Sequence, residues 1–148
     1  MITGLYETHI QVRDLEKSLK FYTEVLGLKF AHRDETRPII FLWIGKNKEY
    51  MLGLWQTNEE IVPRHFAFSS TKEFILNDAV DFLNQNQLEP YNFLKNGTTE
   101  PMVFAWMPAL AIYFKDPDGN NLEFISLLEG DAKPALGVLS YQDWLDLK

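Results

Sequence analysis

Two histidines and one glutamate are the residues of this chain whose types could do chemistry together. His9 stands in Thr8-His9-Ile10-Gln11-Val12, His65 in Arg64-His65-Phe66-Ala67-Phe68, and Glu123 between Leu122 and Phe124 with Ile125, Leu127 and Leu128 behind it. A glutamate inside such an apolar strand is costly to bury unless it is paired or bound to a metal. Two neutral imidazoles and a carboxylate suit zinc, iron, manganese, cobalt or nickel. Three protein ligands leave positions open for water or a substrate oxygen. A metal held that way polarises a carbonyl or epoxide oxygen, or brings bound water to a pKa near ~7. His32, the third histidine, is flanked by Arg33 and Asp34 and reads as a surface residue. No Gly-rich phosphate loop, nucleophile elbow or Cys-His pair competes with this reading.

The elements that must position these residues occur twice, in the same order. Leu5 to Val12 alternates, with Tyr6, Thr8, Ile10 and Val12 on one face and Leu5, Glu7, His9 and Gln11 on the other. For this strand alone, a polar face turned to solvent is the simpler reading; a polar front lining a wet cup is the other. Asp14 reads as an N-cap for a helix over Leu15 to Leu26, which Gly27 ends. Strands are expected at Leu28 to Asp34, Ile39 to Ile44 and Tyr50 to Gln56.

The second copy opens with a strand at His65 to Ser69, then a helix over Phe74 to Asn86 with Ala79, Phe82 and Leu83 inward, then a short strand at Tyr91 to Leu94. The hairpin of Ala109 to Lys115 with Asn121 to Leu128 turns through Asp116-Pro117-Asp118-Gly119. The expected division is therefore a first module over 1–58, a second over 62–128 with an insertion near 98–108, and a C-terminal arm over 129–148. In that arm Ser140 could cap a final short helix. If the two copies pair face to face, His9, His65 and Glu123 converge on one point.

Composition narrows the function classes. Apolar residues make up 46% and charged residues 24%, as in an ordinary globular protein, while aromatics reach 14% and could serve a lined pocket as well as a core. A formal charge of -7 argues against a nucleic-acid partner, which demands a surplus of Lys and Arg. With no cysteine there is neither a disulfide framework nor a thiolate site. The start of the chain does not read as a signal peptide, and the longest apolar run, Val103 to Phe114, is broken by Pro108. A cytoplasmic protein with no membrane partner is expected.

Three stretches carry a family resemblance: Thr8-His9-Ile10; Asp14-Leu15-Glu16-Lys17-Ser18-Leu19-Lys20-Phe21-Tyr22 leading to Leu26-Gly27; and Tyr113 through Asp116-Pro117-Asp118-Gly119 to Leu122-Glu123. In this order they resemble the vicinal-oxygen-chelate superfamily, which includes glyoxalase I, fosfomycin- and bleomycin-resistance proteins and extradiol dioxygenases. The resemblance covers residues 4 to about 128. It implies an α+β fold of two βαβββ modules whose curled mixed sheet surrounds a divalent metal, with His9, His65 and Glu123 as ligands. It also implies a small-molecule substrate and a homodimer, with each cup built within one chain or between two.

A fourth ligand position, used by bacterial glyoxalase I, falls at or beside Gly53, which has no ligating side chain. Tyr113 matches a substrate-contacting tyrosine of the fosfomycin branch, while Gln11 stands where that branch has a threonine. The resulting expectation is a glyoxalase-like metalloenzyme, lyase or transferase, acting on a small oxygenated substrate. Its polar wall residues would be Glu7, Gln11 and Tyr113, and its candidate apolar lining Phe41, Trp43, Trp55 and Trp106. The rival from another class is a binding module that sequesters a small molecule, as in the bleomycin-resistance type.

Overall fold

The structure, a computed structural model, describes residues 1–147. Backbone contacts divide it into two units, one formed by Met1–Arg64 with Asp116–Asn120, the other by the rest of the described chain. Each unit carries one mixed sheet flanked by helix, so the fold class is α+β with the βαβββ order appearing twice.

In the first unit β1 (Glu7–Val12), β2 (Lys29–Arg33), β3 (Ile39–Ile44) and β4 (Tyr50–Gln56) lie in the order β1-β4-β3-β2. β1 and β4 are parallel, and the other neighbours are antiparallel. Parallel strands need a long crossover, and α1 with its continuation provides part of it. α1 (Leu15–Lys20) starts where Asp14, in extended backbone, accepts a hydrogen bond from the Lys17 amide at 3.0 Å. The helix widens into a π turn at Phe21–Val25 and stops at Gly27, whose φ of +79° suits a C-terminal cap. It packs on β4 and β3, over a core that includes Ile40, Leu42, Leu52 and Leu54.

The same unit holds the turn Asp116–Asn120. The Asp116 carboxylate is buried and accepts from Tyr22 Oη at 2.7 Å, the Asp118 amide at 2.9 Å, the Asn120 amide at 2.8 Å and Asn120 Nδ2 at 2.8 Å. Burial, with Asp116 beside it, pushes the Tyr22 phenol well above its ordinary value, so Tyr22 remains the donor.

The second unit holds β5 (His65–Ser69), β6 (Met102–Phe104), β7 (Ala109–Lys115), β8 (Asn121–Leu127) and β9 (Val138–Ser140), in the order β5-β8-β7-β6-β9. β5 and β8 pair parallel, as β1 and β4 do. The expected single helix is split into α2 (Lys72–Asn77) and α3 (Ala79–Gln85). The break falls at Asp78, φ -124°, beside Asn77; short polar side chains compete for backbone hydrogen bonds and favour such ends. Tyr91 contributes one bridge to Tyr113 rather than a strand. The stretch without a sequence counterpart contains β6, which occupies the place β2 holds in the first sheet. In the tail, β9 extends the sheet edge beside β6, and Ser140 caps α4 (Tyr141–Asp146) by accepting from the Asp143 amide at 3.0 Å. No helix among the described residues is long and apolar enough to cross a membrane.

Removing the Asp116 carboxylate strands four buried or half-buried donors. Asp116→Ala is expected to lower unfolding stability by about 3 kcal/mol and Tyr22→Phe by about 1 kcal/mol, read as shifts of the urea midpoint at constant slope.

Candidate functional site

In the first unit the parallel register sets His9 opposite Gly53, and Gly53 opposite Phe41 across β3. A Cβ on Gly53 would come within 2.9 Å of the His9 ring, so the missing side chain is what allows the imidazole to lie over β4. The Phe41 ring meets the His9 ring edge-on at 5.6 Å between centroids. Both imidazole nitrogens are engaged. His9 Nε2 pairs with Glu7 Oε1, and Trp55 Nε1 donates to His9 Nδ1. Indole only donates, so Nδ1 carries the lone pair and Nε2 carries the hydrogen that Glu7 accepts. His9, Gln11 and Trp55 line a cavity of about 330 Å³ together with Ile10, Val62 and Arg64.

In the second unit the register sets His65 opposite Asn121 and Ala67 opposite Glu123, with Tyr113 opposite Glu123 on the other side. His65 Nδ1 lies 2.7 Å from the Asn121 carbonyl, which only accepts, so the hydrogen is on Nδ1. Neutral His65 therefore presents a bare Nε2 to Glu123 Oε2 at 3.1 Å. Two acceptors face each other, an arrangement that requires a proton or a metal ion between or beside them. The second Glu123 oxygen, Oε1, is buried and has no hydrogen-bond partner among the described residues. Burial raises the Glu123 carboxyl above the usual carboxylate range, and the His65 ring draws it part of the way back.

Tyr113 lies between two rings, His65 at 5.7 Å and Tyr91 at 5.6 Å, the latter stacked. Tyr91 Oη donates to Asn121 Oδ1. Burial, with Glu123 and Tyr91 adding to it, holds the Tyr113 phenol well above its ordinary value, which makes it a hydrogen-bond donor and not a base. Tyr91 also walls an open cavity of about 910 Å³ that includes Lys95 and Lys115.

The structure thus brings Glu7 to His9, and brings Glu123 and Tyr113 to His65. It shows no group of three or more His, Asp or Glu side chains able to hold a metal ion among the described residues. Of the aromatics expected to line a pocket, Phe41, Trp43 and Trp55 are half-buried, whereas Trp106 is exposed. Three partners are not legible in the sequence: Trp55 as donor to His9, the Asn121 carbonyl as acceptor for His65, and Tyr91 stacked on Tyr113. Each depends on a pairing between distant segments. The period-two alternation places Glu7, His9 and Gln11 together but names no partner on the next strand.

The residues on both sides of this chemistry fall within one family pattern. That of the Glyoxalase/Bleomycin resistance protein/Dioxygenase superfamily matches residues 4–124. The chain is 34% identical over 97 residues to a lactoylglutathione lyase of Schizosaccharomyces pombe, covering 66% of this chain and 28% of that protein. It therefore spans less than a third of that relative's length. It is 25% identical to a probable lactoylglutathione lyase of Vibrio parahaemolyticus, over 86% of this chain and 94% of the other. An integron cassette protein from the mobile metagenome of the Halifax Harbour sewage outfall has a similar solved structure, with TM-score 0.72 and 32% identity. That likeness covers 85% of this chain and all of the other, 100%.

Gly53→Ala is expected to push the His9 ring off β4 and deprive the Trp55 indole N–H of its acceptor, read as a displaced indole signal in NMR. Unfolding stability should change by less than about 1 kcal/mol, because the half-exposed imidazole can swing outward.

Proposed function

The chain belongs to the Glyoxalase/Bleomycin resistance protein/Dioxygenase superfamily, and from that membership we propose that it is a glyoxalase-like, divalent-metal-dependent enzyme acting on a small oxygenated substrate. The ligands are His9, His65 and Glu123. The observation that carries the reading is the confrontation of His65 Nε2 with Glu123 Oε2 at 3.1 Å, beside the unpartnered buried Oε1. This pair fits a metal. The carboxylate has an oxygen that nothing in the protein satisfies, and His65 donates its other ring hydrogen to a carbonyl, as metal-bound imidazoles do. When bound, the metal would supply Lewis-acid polarisation of a substrate oxygen.

The chain's own residues do the rest. Tyr113, held neutral, donates a hydrogen bond to a substrate oxygen beside His65. Gln11 offers an amide at the cavity wall, and Glu7 accepts the His9 proton. The resemblance to lactoylglutathione lyases favours lyase or isomerase chemistry on an aldehyde–thiol adduct; epoxide opening by a thiol is the other member of the class. A homodimer and a cytoplasmic setting complete the reading, with His9 supplied by the same chain or by a second copy.

One observation favours the rival, a sequestering protein without catalysis: no three candidate ligands are clustered among the described residues. Metal analysis separates the two. The purified protein should take up about one zinc or nickel ion per chain. His65→Ala and Glu123→Gln should weaken binding by more than about 100-fold, beyond the roughly 10- to 100-fold that outer-shell changes cost. Tyr113→Phe should leave uptake intact and lower kcat by about 100-fold against the best of a panel of aldehyde–thiol adducts, epoxides and catechols. A wild-type protein that binds no divalent ion would hand the case to sequestration.

A further inference from the structure

The two histidines proposed as ligands are in opposite tautomers, and at His9 the residue that claims Nδ1 is Trp55. His65 keeps its hydrogen on Nδ1 and leaves Nε2 bare. His9 does the reverse: its Nδ1 lone pair is taken by the Trp55 indole N–H at 2.5 Å, and its Nε2 hydrogen goes to Glu7. A metal needs the lone pair of a neutral imidazole nitrogen, and here His9 has none to give. To ligate through Nε2 it would have to move its hydrogen to Nδ1, where it would meet the indole N–H, donor against donor.

The indole is placed there by the sheet register. Glu123 stands two residues beyond Asn121, the residue opposite His65; Trp55 stands two residues beyond Gly53, the residue opposite His9. At the position where the second module carries a carboxylate, the first carries a donor that cannot accept. The indole is also anchored. The Arg37 guanidinium lies over its ring, 5.4 Å from the centroid. Arg37 is in turn held by Asp34 through Nε at 3.0 Å and Nη2 at 2.7 Å. Four residues, Asp34, Arg37, Trp55 and Glu7, thus fix one tautomer of His9.

We infer that Trp55 is a positioning residue that sets the tautomer of His9 and holds it out of metal coordination, so that metal loading at His9 proceeds only by breaking the Trp55–His9 hydrogen bond. The tautomer part stands on geometry alone; the metal part rests on the ligand set proposed above. His65 and Glu123 are then the part of the ligand set ready in advance, and His9 joins last.

The test uses the full-length protein and Trp55→Phe, which keeps an aromatic ring for Arg37 to cover and removes the N–H donor along with part of the indole. Nitrogen-15 NMR of the metal-free wild type should show neutral His9 with hydrogen on Nε2, and Trp55→Phe should shift it toward the Nδ1 form. In calorimetric titration with Zn²⁺, Trp55→Phe should bind about tenfold more tightly than wild type, the worth of one ordinary hydrogen bond. Zinc should also displace the Trp55 indole signal of the wild type and not that of Trp106 or Trp144. A wild-type His9 with its hydrogen on Nδ1, or a tautomer unchanged in Trp55→Phe, overturns the inference; so does equal or weaker zinc binding by the variant. Absence of zinc binding in wild type and variant alike would instead sink the metal reading, and the metal-free tautomer measurement would still decide the role of Trp55.

Discussion

Parallel pairing between the first and last strands of each module is the constraint on which the site depends. β1 lies against β4 and β5 against β8, and in a parallel ladder residues at one level keep their side chains on one face. A histidine early in the first strand therefore has one fixed neighbour on the last strand and a second one two residues on. In the second module those neighbours are Asn121, whose carbonyl orients the imidazole, and Glu123, whose carboxylate faces the bare nitrogen. In the first they are Gly53, which makes room for the ring, and Trp55, which donates to it. The same backbone relationship sets an imidazole nitrogen against a buried carboxylate in one half and caps an imidazole with an indole donor in the other.

Electrostatic consequences follow from burial at the same places. Glu123 sits among apolar neighbours with one oxygen unsatisfied, so burial disfavours its charged form. Tyr113, packed between His65 and Tyr91, keeps its proton for the same reason. A neutral phenol thus stands as a hydrogen-bond donor beside the His65–Glu123 pair. By contrast, the buried Asp116 is saturated by four hydrogen bonds, which marks it as structural although it too is a buried acid. Unsatisfied against satisfied, rather than buried against exposed, separates the carboxylate proposed as a ligand from the scaffolding one.

Small departures from the repeat show where each module has been adapted. The second helix is interrupted at Asp78, and the second sheet gains β9 from the tail, which covers the free side of β6. An edge strand of three residues such as β6 presents unpaired backbone groups, and the added strand satisfies them. Among the described residues the first sheet has no such addition.

Much of this fold was legible in the residues themselves. Asp14 and Ser140 act as caps, Gly27 ends its helix, the bounds of β3, β4 and β5 are those expected from the sequence, and Glu7, His9 and Gln11 share the polar face of β1. These features are local: a cap is decided within four residues and a strand face by a period of two. The residue types able to do chemistry were equally plain, because a glutamate in an apolar strand stands out wherever it folds. Partnership was not legible. That Trp55 on the neighbouring strand donates to His9, that the Asn121 carbonyl selects the tautomer of His65, and that Tyr91 stacks on Tyr113 were decided by strand register and ring packing. Those are set jointly by segments tens of residues apart, and no periodicity within one segment encodes them.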